Sequence, residues 1–285
     1  MSITSVRERA SPEQRPQDPQ PTPVPVRSAA LEGAAQLGAL TIEVAEHVGG
    51  IFMLWFELCK RFFVFDFPRH EILRHLFSMA NGSLSVVAFT SLFNGAILVL
   101  QAAPVVTRFG ASAIIGWAAG FGVLNELSPL LVGLMFSGRV GANNTAELGT
   151  MVVTEQVDGL RALAIDPLSY LILPRVIAMT IALVALNIIG AFVALIGAIL
   201  CSSLLLDVGY QGFMSSFLEL LNHWDFLNGF FKSLVFGVGI ALTSSHYGLR
   251  TRGGAPGVGR AVNASVVAAA IGIFVLDYLA ALLSK

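Results

Sequence analysis

Residues 176–206 read VIAMTIALVALNIIGAFVALIGAILCSSLLL, a run of 31 residues without a charged side chain. About 20 apolar residues in a helix cross the hydrocarbon layer of a bilayer, which is roughly 30 Å thick. This stretch therefore predicts a membrane-spanning helix, and its excess length predicts a helix that tilts or protrudes. Comparable stretches elsewhere bring the expected number of spans to five, at about residues 76–102, 111–138, 168–204, 227–249 and 260–283.

The composition agrees with a chain that lies mostly in a membrane. Hydrophobic residues make up 55% of the 285 residues and charged residues only 12%, against about 25% charged in an average soluble domain. The first 75 residues hold 17 of the 35 charges, so the rest of the chain is poorer still. These proportions exclude a soluble enzyme and a disordered protein. The net charge of −1 gives no electrostatic footprint for nucleic acid.

The amino-terminal part reads as a polar tail followed by an amphipathic helix. Six prolines between Pro12 and Pro25 predict a flexible, Pro-rich cytoplasmic tail over residues 1–30, and no apolar core of a secretory signal is seen. Residues 40–64 separate charged from bulky apolar side chains, with Met53 and Leu54 as exceptions. Such a helix suits the plane of a membrane interface. The alternative is a soluble helix packed on a cytoplasmic domain. The permease domain is then expected over residues 31–285.

Basic residues predict the orientation of the chain. Outside the tail, ten Lys and Arg residues fall on one side and three on the other when the spans are threaded in order. Because cytoplasmic loops carry the excess of positive charge, we expect a cytoplasmic amino terminus and a carboxyl terminus on the opposite side. The segment between Arg139 and Arg175 is then the main cytoplasmic loop, and residues 207–225 form the main external loop. The mixed polar and apolar pattern of the cytoplasmic loop predicts one or two short helices, which form either a docking element or an ordinary connection.

Few residues in the spans suggest chemistry. Cys59 and Cys201 are isolated, and the five histidines form no ligand pattern, so neither a metal site nor a bound cofactor is expected. Glu126 is the one acid well inside an apolar stretch, and such a residue faces a cavity or an ionic partner. Arg139 lies 13 residues further, about 20 Å along a helix, which excludes an intrahelical pair. Lys232 and Asp277 are a candidate ion pair between the last two spans.

The run ELSPLLVGLMFSGRVGANNTAELGTMVVTEQVDGLRALAIDPLSYLILPRVIA, residues 126–178, resembles the signature of the MlaE/YrbE permease family. Residues 231–236, residues 257–261 and the pair Asp277-Tyr278 add to the resemblance, which covers roughly residues 35–285. Family members often carry Arg before the intramembrane Glu, whereas this chain has Asn125. The departure removes a direct Arg contact to a lipid phosphate at that position.

The resemblance implies a multi-subunit complex and its function. Members of the family are membrane subunits of ABC transporters that move phospholipid between the bacterial inner membrane and a periplasmic MCE protein, and so maintain the lipid asymmetry of the outer membrane. A homodimer on a cytoplasmic ATPase dimer is implied, with a STAS-domain protein in some systems and a hexameric MCE protein outside. ATP is then bound by the partner, because the three lysines of this chain do not follow glycine as a P-loop requires. The chain is not itself expected to be an enzyme.

The same resemblance implies the site residues. The lipid site of the family, carried over to this chain, comprises Leu98, Val105, Val106, Phe109, Glu126 and Leu127. The segment that would couple to the ATPase comprises Glu147, Thr154, Glu155, Gln156 and Asp158. The expected fold is an all-α integral membrane protein, with an interfacial amphipathic helix, five transmembrane helices and a short cytoplasmic coupling helix. The alternatives are a non-ABC secondary transporter, although the five spans show no inverted repeat, and a passive membrane scaffold.

Overall fold

The computed structural model describes residues 26–62, 69–110, 114–220 and 222–283, and all regular structure within these ranges is helical. The tail predicted over residues 1–30 lies outside the described residues up to residue 25. The α-helices in chain order are α1 Val26–Phe62, α2 Arg69–Phe109, α3 Ile115–Phe121, α4 Ser128–Phe136, α5 Ala142–Val153, α6 Gln156–Ala162, α7 Leu173–Leu205, α8 Tyr210–Leu220, α9 His223–Leu249 and α10 Gly254–Leu283.

Three short π-helical segments join some of these helices without a break. They lie at Gly122–Leu127, Ser137–Gly141 and Leu168–Ile172. Each adds a residue to a turn and rotates the following side chains, and such π-bulges occur frequently at functional sites. The first two connect α3, α4 and α5 into one long helical run.

Among the described residues, five helical runs are long and apolar enough to cross a membrane, as the sequence predicted. They are His70–Phe109, Ile115–Val153, Leu168–Leu205, Trp224–Leu249 and Gly254–Leu283. The second run continues beyond the expected end at residue 138, because α5 follows the second π segment directly. Much of the loop predicted between the second and third spans is therefore an extension of the second span, and α6 is the separate short helix.

The chain divides after Val48 into two units, Met1–Val48 and Gly49–Lys285, and helix α1 runs through the division. In the first unit, the Thr41 hydroxyl donates a hydrogen bond to the Gly38 carbonyl. In the second unit, the end of α1 packs into the helical bundle. Leu54 and Leu58 are 8% and 4% exposed and join a buried cluster with Leu148 and Leu242.

This packing shows which face of α1 contacts the bundle. Leu54, one of the two apolar exceptions to the amphipathic pattern, lies against the bundle and not on a solvent-facing side. Leu54 and Leu58 are one turn apart and form the stripe that contacts the bundle. Phe52 and Trp55 stay 65% and 46% exposed. The helix therefore has a leucine stripe against the protein and an aromatic face that points outward.

Helices α2 and α7 approach each other closely along two glycines. A Cβ atom on Gly95 would strike the Ala194 carbonyl, and one on Gly197 would strike the Leu92 carbonyl. Small residues of this kind let membrane helices pack backbone to backbone. A core of large apolar side chains lies beside this contact and joins helices α2, α4, α7, α9 and α10, with Val87, Val132, Phe136, Leu183, Leu186, Phe236, Ile240 and Ile273 as members.

Candidate functional site

An ionic cluster of Glu126, Lys232 and Asp277 lies between three spans. Lys232 is 0% exposed on α9, and its Nζ donates a hydrogen bond to Glu126 Oε2 at 2.8 Å. The same Nζ lies 2.9 Å from Asp277 Oδ1 on α10, without the alignment of a hydrogen bond. A buried ammonium is costly unless it is paired, and here two carboxylates surround it. We call these three residues the Glu126 cluster.

The cluster presents a carboxylate, and not its ammonium, to the surroundings. The side chain of Glu126 is 48% exposed and that of Asp277 is 18% exposed, while Lys232 is enclosed. Glu126 lies in the first π segment, which turns it out of the regular helical register. An exposed acid within a membrane-spanning run is expensive and is a functional-site candidate for that reason.

Neutral polar side chains hold the helices around the cluster. Asn125 is 3% exposed; its Nδ2 donates to Asp225 Oδ1 at 3.1 Å, and its Oδ1 accepts from Asn228 Nδ2 at 2.8 Å. Ser128 Oγ donates to Asn187 Oδ1 at 2.8 Å. These bonds tie the first π segment and the start of α4 to α7 and α9. Hydrogen bonds from Asn125 and Ser128, on either side of Glu126 in the chain, therefore set its position.

The predicted lipid residues occupy different environments. Val105 and Phe109 are 58% and 75% exposed near the end of α2, whereas Val106 between them is buried. Leu98 is partly buried and packs near Gly122, at the start of the first π segment. Leu127 is half-buried next to Glu126. The structure thus brings Leu98 and Leu127 to the same π segment as Glu126 and leaves Val105 and Phe109 open to the surroundings.

A shallow groove adjoins the Glu126 cluster. The groove lies between α7, α9 and the first π segment and encloses only about 10 Å³; its lining is mainly apolar, with Leu124, Asn187, Ile188, Ala191, Phe226, Gly229 and Phe230. Pockets that enclose a small molecule usually measure about 300–1,000 Å³. A ligand as large as a phospholipid would therefore lie against an open face here, or between this chain and another molecule.

A second buried cation, Arg175, pairs with Glu147. Glu147 lies 21 residues beyond Glu126, which is about 30 Å along the second span. The Arg175 side chain is 4% exposed, and its Nη2 donates to Glu147 Oε1 at 2.8 Å. Its Nη1 donates to Asn144 Oδ1 at 3.2 Å, and Asn144 Nδ2 donates to Ser244 Oγ at 2.8 Å. This Arg175 cluster joins α5 to α7 and α9.

The other predicted coupling residues form an exposed elbow. Thr154 and Glu155 make the turn between α5 and α6, and Gln156 Nε2 donates to Thr154 Oγ1 at 3.0 Å. Asp158 pairs with Arg161 at 2.9 Å on the surface of α6. Glu155 has φ 59°, in the left-handed region that costs a non-glycine residue about 1–2 kcal/mol. Glu147 differs from these four residues, because its carboxylate, 48% exposed, also pairs with the buried Arg175.

Asp166 stabilises the chain between α6 and the third span. Its carboxylate accepts hydrogen bonds from the Ser169 hydroxyl at 2.7 Å and from the backbone amides of Leu168 and Ser169, and it lies 2.8 Å from Arg61 Nε on α1. Partial burial acts to raise the pKa of Asp166, but the Ser169 hydrogen bond, then Arg61 and the two amides, outweigh it and hold the pKa below its ordinary value.

Sequence reasoning found the pair of Lys232 and Asp277, which the structure confirms, but missed that Lys232 also binds Glu126. It also counted Arg175 as a simple loop cation, whereas the structure buries it. One signal was present for the first omission. Lys232 adjoins the uncharged fourth stretch, and a lysine and an acid within apolar spans are expected to seek each other. The burial of Arg175 leaves no comparable signal, because Arg at a span end usually anchors in the headgroups.

Comparisons with known proteins give one consistent result. A family model described as Permease MlaE matches residues 72–283. A probable ABC transporter permease protein of Rickettsia felis is 37% identical over 249 residues, which cover 87% of this chain and 96% of the relative. A protein of the same description from Synechocystis is 36% identical, over 74% of this chain and 80% of its own length. The chloroplastic protein TRIGALACTOSYLDIACYLGLYCEROL 1 of Arabidopsis thaliana is 38% identical, over 69% of this chain and 56% of its own length.

Proposed function

This chain belongs to the MlaE permease family, and on that premise we propose that it is the membrane subunit of an ATP-driven phospholipid transporter. The observation that carries the proposal is the half-exposed Glu126 carboxylate, held within a span by a fully enclosed lysine. A bilayer offers such a group no water, so its retention is explained by a polar substrate part that passes it. A phospholipid combines that polar part with acyl chains, which suit the apolar side chains of the adjoining groove.

The energy for transport comes from a separate subunit in this proposal. The 285 residues contain no Gly-Lys pair and hence no P-loop, while relatives carry the name ABC transporter permease. A dimer of cytoplasmic ATPases docks on the elbow at Thr154 and Glu155, with Gln156 and Asp158 beside it. Glu147, whose side chain is 48% exposed and pairs with Arg175, belongs to the same docking segment.

The lipid path runs beside the Glu126 cluster. Leu98 and Leu127 line it next to Glu126, and Val105, Val106 and Phe109 lie on or near the end of α2, towards the external side. A single copy of the chain offers the lipid only an open face. In the homodimer, two copies enclose the lipid between them. A hexameric MCE protein receives or delivers the lipid on the side of the carboxyl terminus, and a STAS-domain protein is a further candidate partner. The proposed location is the bacterial inner membrane, where the complex maintains the lipids of the outer membrane.

The test is ATP-driven transfer of a fluorescent phospholipid. The chain is purified together with the ATPase that copurifies with it and is reconstituted into liposomes, and transfer to acceptor vesicles is measured with and without ATP. Transfer that requires ATP and falls in Glu126→Gln supports the proposal. Transfer that proceeds without any ATPase indicates a secondary transporter, and an inert, lipid-free chain indicates a scaffold; either result contradicts it.

A further inference from the structure

The charges around Glu126 suggest which phospholipids the site accepts. The Glu126 cluster contains two carboxylates and one ammonium. A third carboxylate, Asp225, is bound to Asn125, the neighbour of Glu126. The four ionisable groups therefore carry a formal net charge of −2 with their side chains ionised.

The one cation of this group is not accessible to a ligand. Lys232 is 0% exposed, and its Nζ lies within 2.9 Å of both carboxylates that surround it. A phosphate group that approached the cluster would meet Glu126 first, since that side chain is 48% exposed. Like charges in a poorly solvated place repel strongly, so the cluster does not act as a phosphate-binding site.

Asn125 offers no replacement for a cation. It is 3% exposed, its carbonyl oxygen is occupied by Asn228, and its amide nitrogen donates to Asp225. Asp225 is held in turn, because its Oδ2 accepts a hydrogen bond from the Asn222 amide at 3.0 Å in the cap of α9. Apart from the enclosed Lys232, the described polar groups around Glu126 are thus neutral or negative.

We propose that this site selects phospholipids whose headgroup carries a cationic amine, such as ethanolamine or choline, over phospholipids with an anionic headgroup. The Glu126 carboxylate receives the amine, as a charge-assisted hydrogen bond or an ion pair. The inference rests on the proposed lipid site and adds to it the class of headgroup that the site takes.

The experiment measures headgroup preference directly. The full-length chain is purified in detergent and equilibrated with equimolar dioleoyl phosphatidylethanolamine and dioleoyl phosphatidylglycerol, which differ in the headgroup alone. Native mass spectrometry then counts each bound lipid. We expect a preference for phosphatidylethanolamine of roughly tenfold, equivalent to about 1.4 kcal/mol.

Variants assign the preference to the cluster. Asn125→Arg places a cation beside Glu126 and should bring the ratio close to one or reverse it. Because Asn125 is buried, Asn125→Arg can fail to fold. Glu126→Gln is therefore measured as well, and it should lower the ratio severalfold while Lys232 keeps its contact with Asp277.

The outcomes separate the inference from the function that it extends. Equal binding of the two lipids by the unmodified chain, or a preference for phosphatidylglycerol, overturns the inference and leaves the lipid site standing. A ratio that Glu126→Gln does not change also overturns it, since the preference then arises elsewhere. A chain that binds neither lipid refutes the lipid site itself.

Discussion

At the scale of single residues, Lys232 shows how a charge is kept inside this bundle. The ammonium has no exposed surface and is held by Glu126 from the second span and Asp277 from the fifth. A buried ion pair adds little net stability, but removal of one partner is costly because the other charge stays behind. Lys232 is therefore the member on which the other two depend.

Lys232→Met is expected to lower the free energy of unfolding by about 3 kcal/mol, because it leaves two carboxylates without their cation. The midpoint of thermal unfolding in detergent measures the effect. Glu126→Gln is the control and should cost much less, since Glu126 is half-exposed and Lys232 keeps Asp277. A loss in Glu126→Gln as large as that in Lys232→Met would contradict this account.

Glu155 combines an exposed side chain with an unfavourable backbone, at φ 59°. Glu155→Lys is expected to abolish ATP-driven lipid transfer while the chain remains inserted, because the charge that faces the partner is reversed. Glu155→Gly removes the side chain but relieves the backbone, so it should be as stable as the parent or about 1 kcal/mol more stable. Transfer assays and the amount of protein in the membrane fraction separate the two effects. Normal transfer by Glu155→Lys would remove Glu155 from the docking site.

At the scale of elements, the contact between α2 and α7 depends on the lack of a side chain at Gly95. Gly95→Ala is expected to destabilise the chain by about 1–3 kcal/mol, since the new Cβ meets the Ala194 carbonyl and forces the helices apart. Gly272→Ala in α10 is the matched control, because no atom lies within 4 Å of its Cβ position. Alanine should there stabilise the helix by about 0.5–1 kcal/mol. The same sign of change at both positions, measured by thermal unfolding, would speak against close packing at Gly95.

The link between α1 and the start of the third span depends on an ionised Asp166. Its pKa is lowered in the folded chain, so the stabilisation is complete above the ordinary pKa, near pH 4, and is lost as the pH falls through the lowered value. Asp166→Asn should reduce the unfolding midpoint at pH 6–8, and the difference from the parent should shrink as the pH falls through the lowered pKa of Asp166. A difference that does not change with pH would mean that the charge has no part in the link.

At the scale of the whole molecule, two polar clusters lie about 30 Å apart along the second span, close to the thickness of the hydrocarbon layer. The Arg175 cluster adjoins the elbow, and the Glu126 cluster adjoins the groove. A continuous helical run connects them. Movement imposed on the elbow by a partner thus has a rigid element through which to reach the proposed lipid site.

The proposed orientation predicts the accessibility of two cysteines. In a chain with Cys59 and Cys201 replaced by Ala, Thr154→Cys should react with a membrane-impermeant maleimide after the membrane is opened and not before. Ser215→Cys, at an exposed position of α8, should react in intact spheroplasts. The reversed pattern would place the elbow outside, where no ATPase can reach it, and would refute the proposed coupling.

The amino-acid sequence by itself determined the helical class, the number of spans and the family. Each span is a local property, because a bilayer requires about 20 consecutive apolar residues whose backbone groups bond within the helix. The exposed elbow was also predictable, since polar residues interrupt the apolar pattern there. Glu126 was recognisable as unusual from its own surroundings in the sequence.

Apart from the pair of Lys232 and Asp277, the tertiary structure decided which side chains meet. Glu126 and Lys232 are 106 positions apart, and their contact depends on the rotation and depth of two helices. Those are set by close approaches such as that of Gly229 on α9 to the Leu124 carbonyl and by the π segment that turns Glu126 outward. The burial of Arg175 and of Leu54 follows from the same arrangement. Composition records how apolar a helix is, whereas the relative positions of helices arise from packing between residues that are distant in the chain.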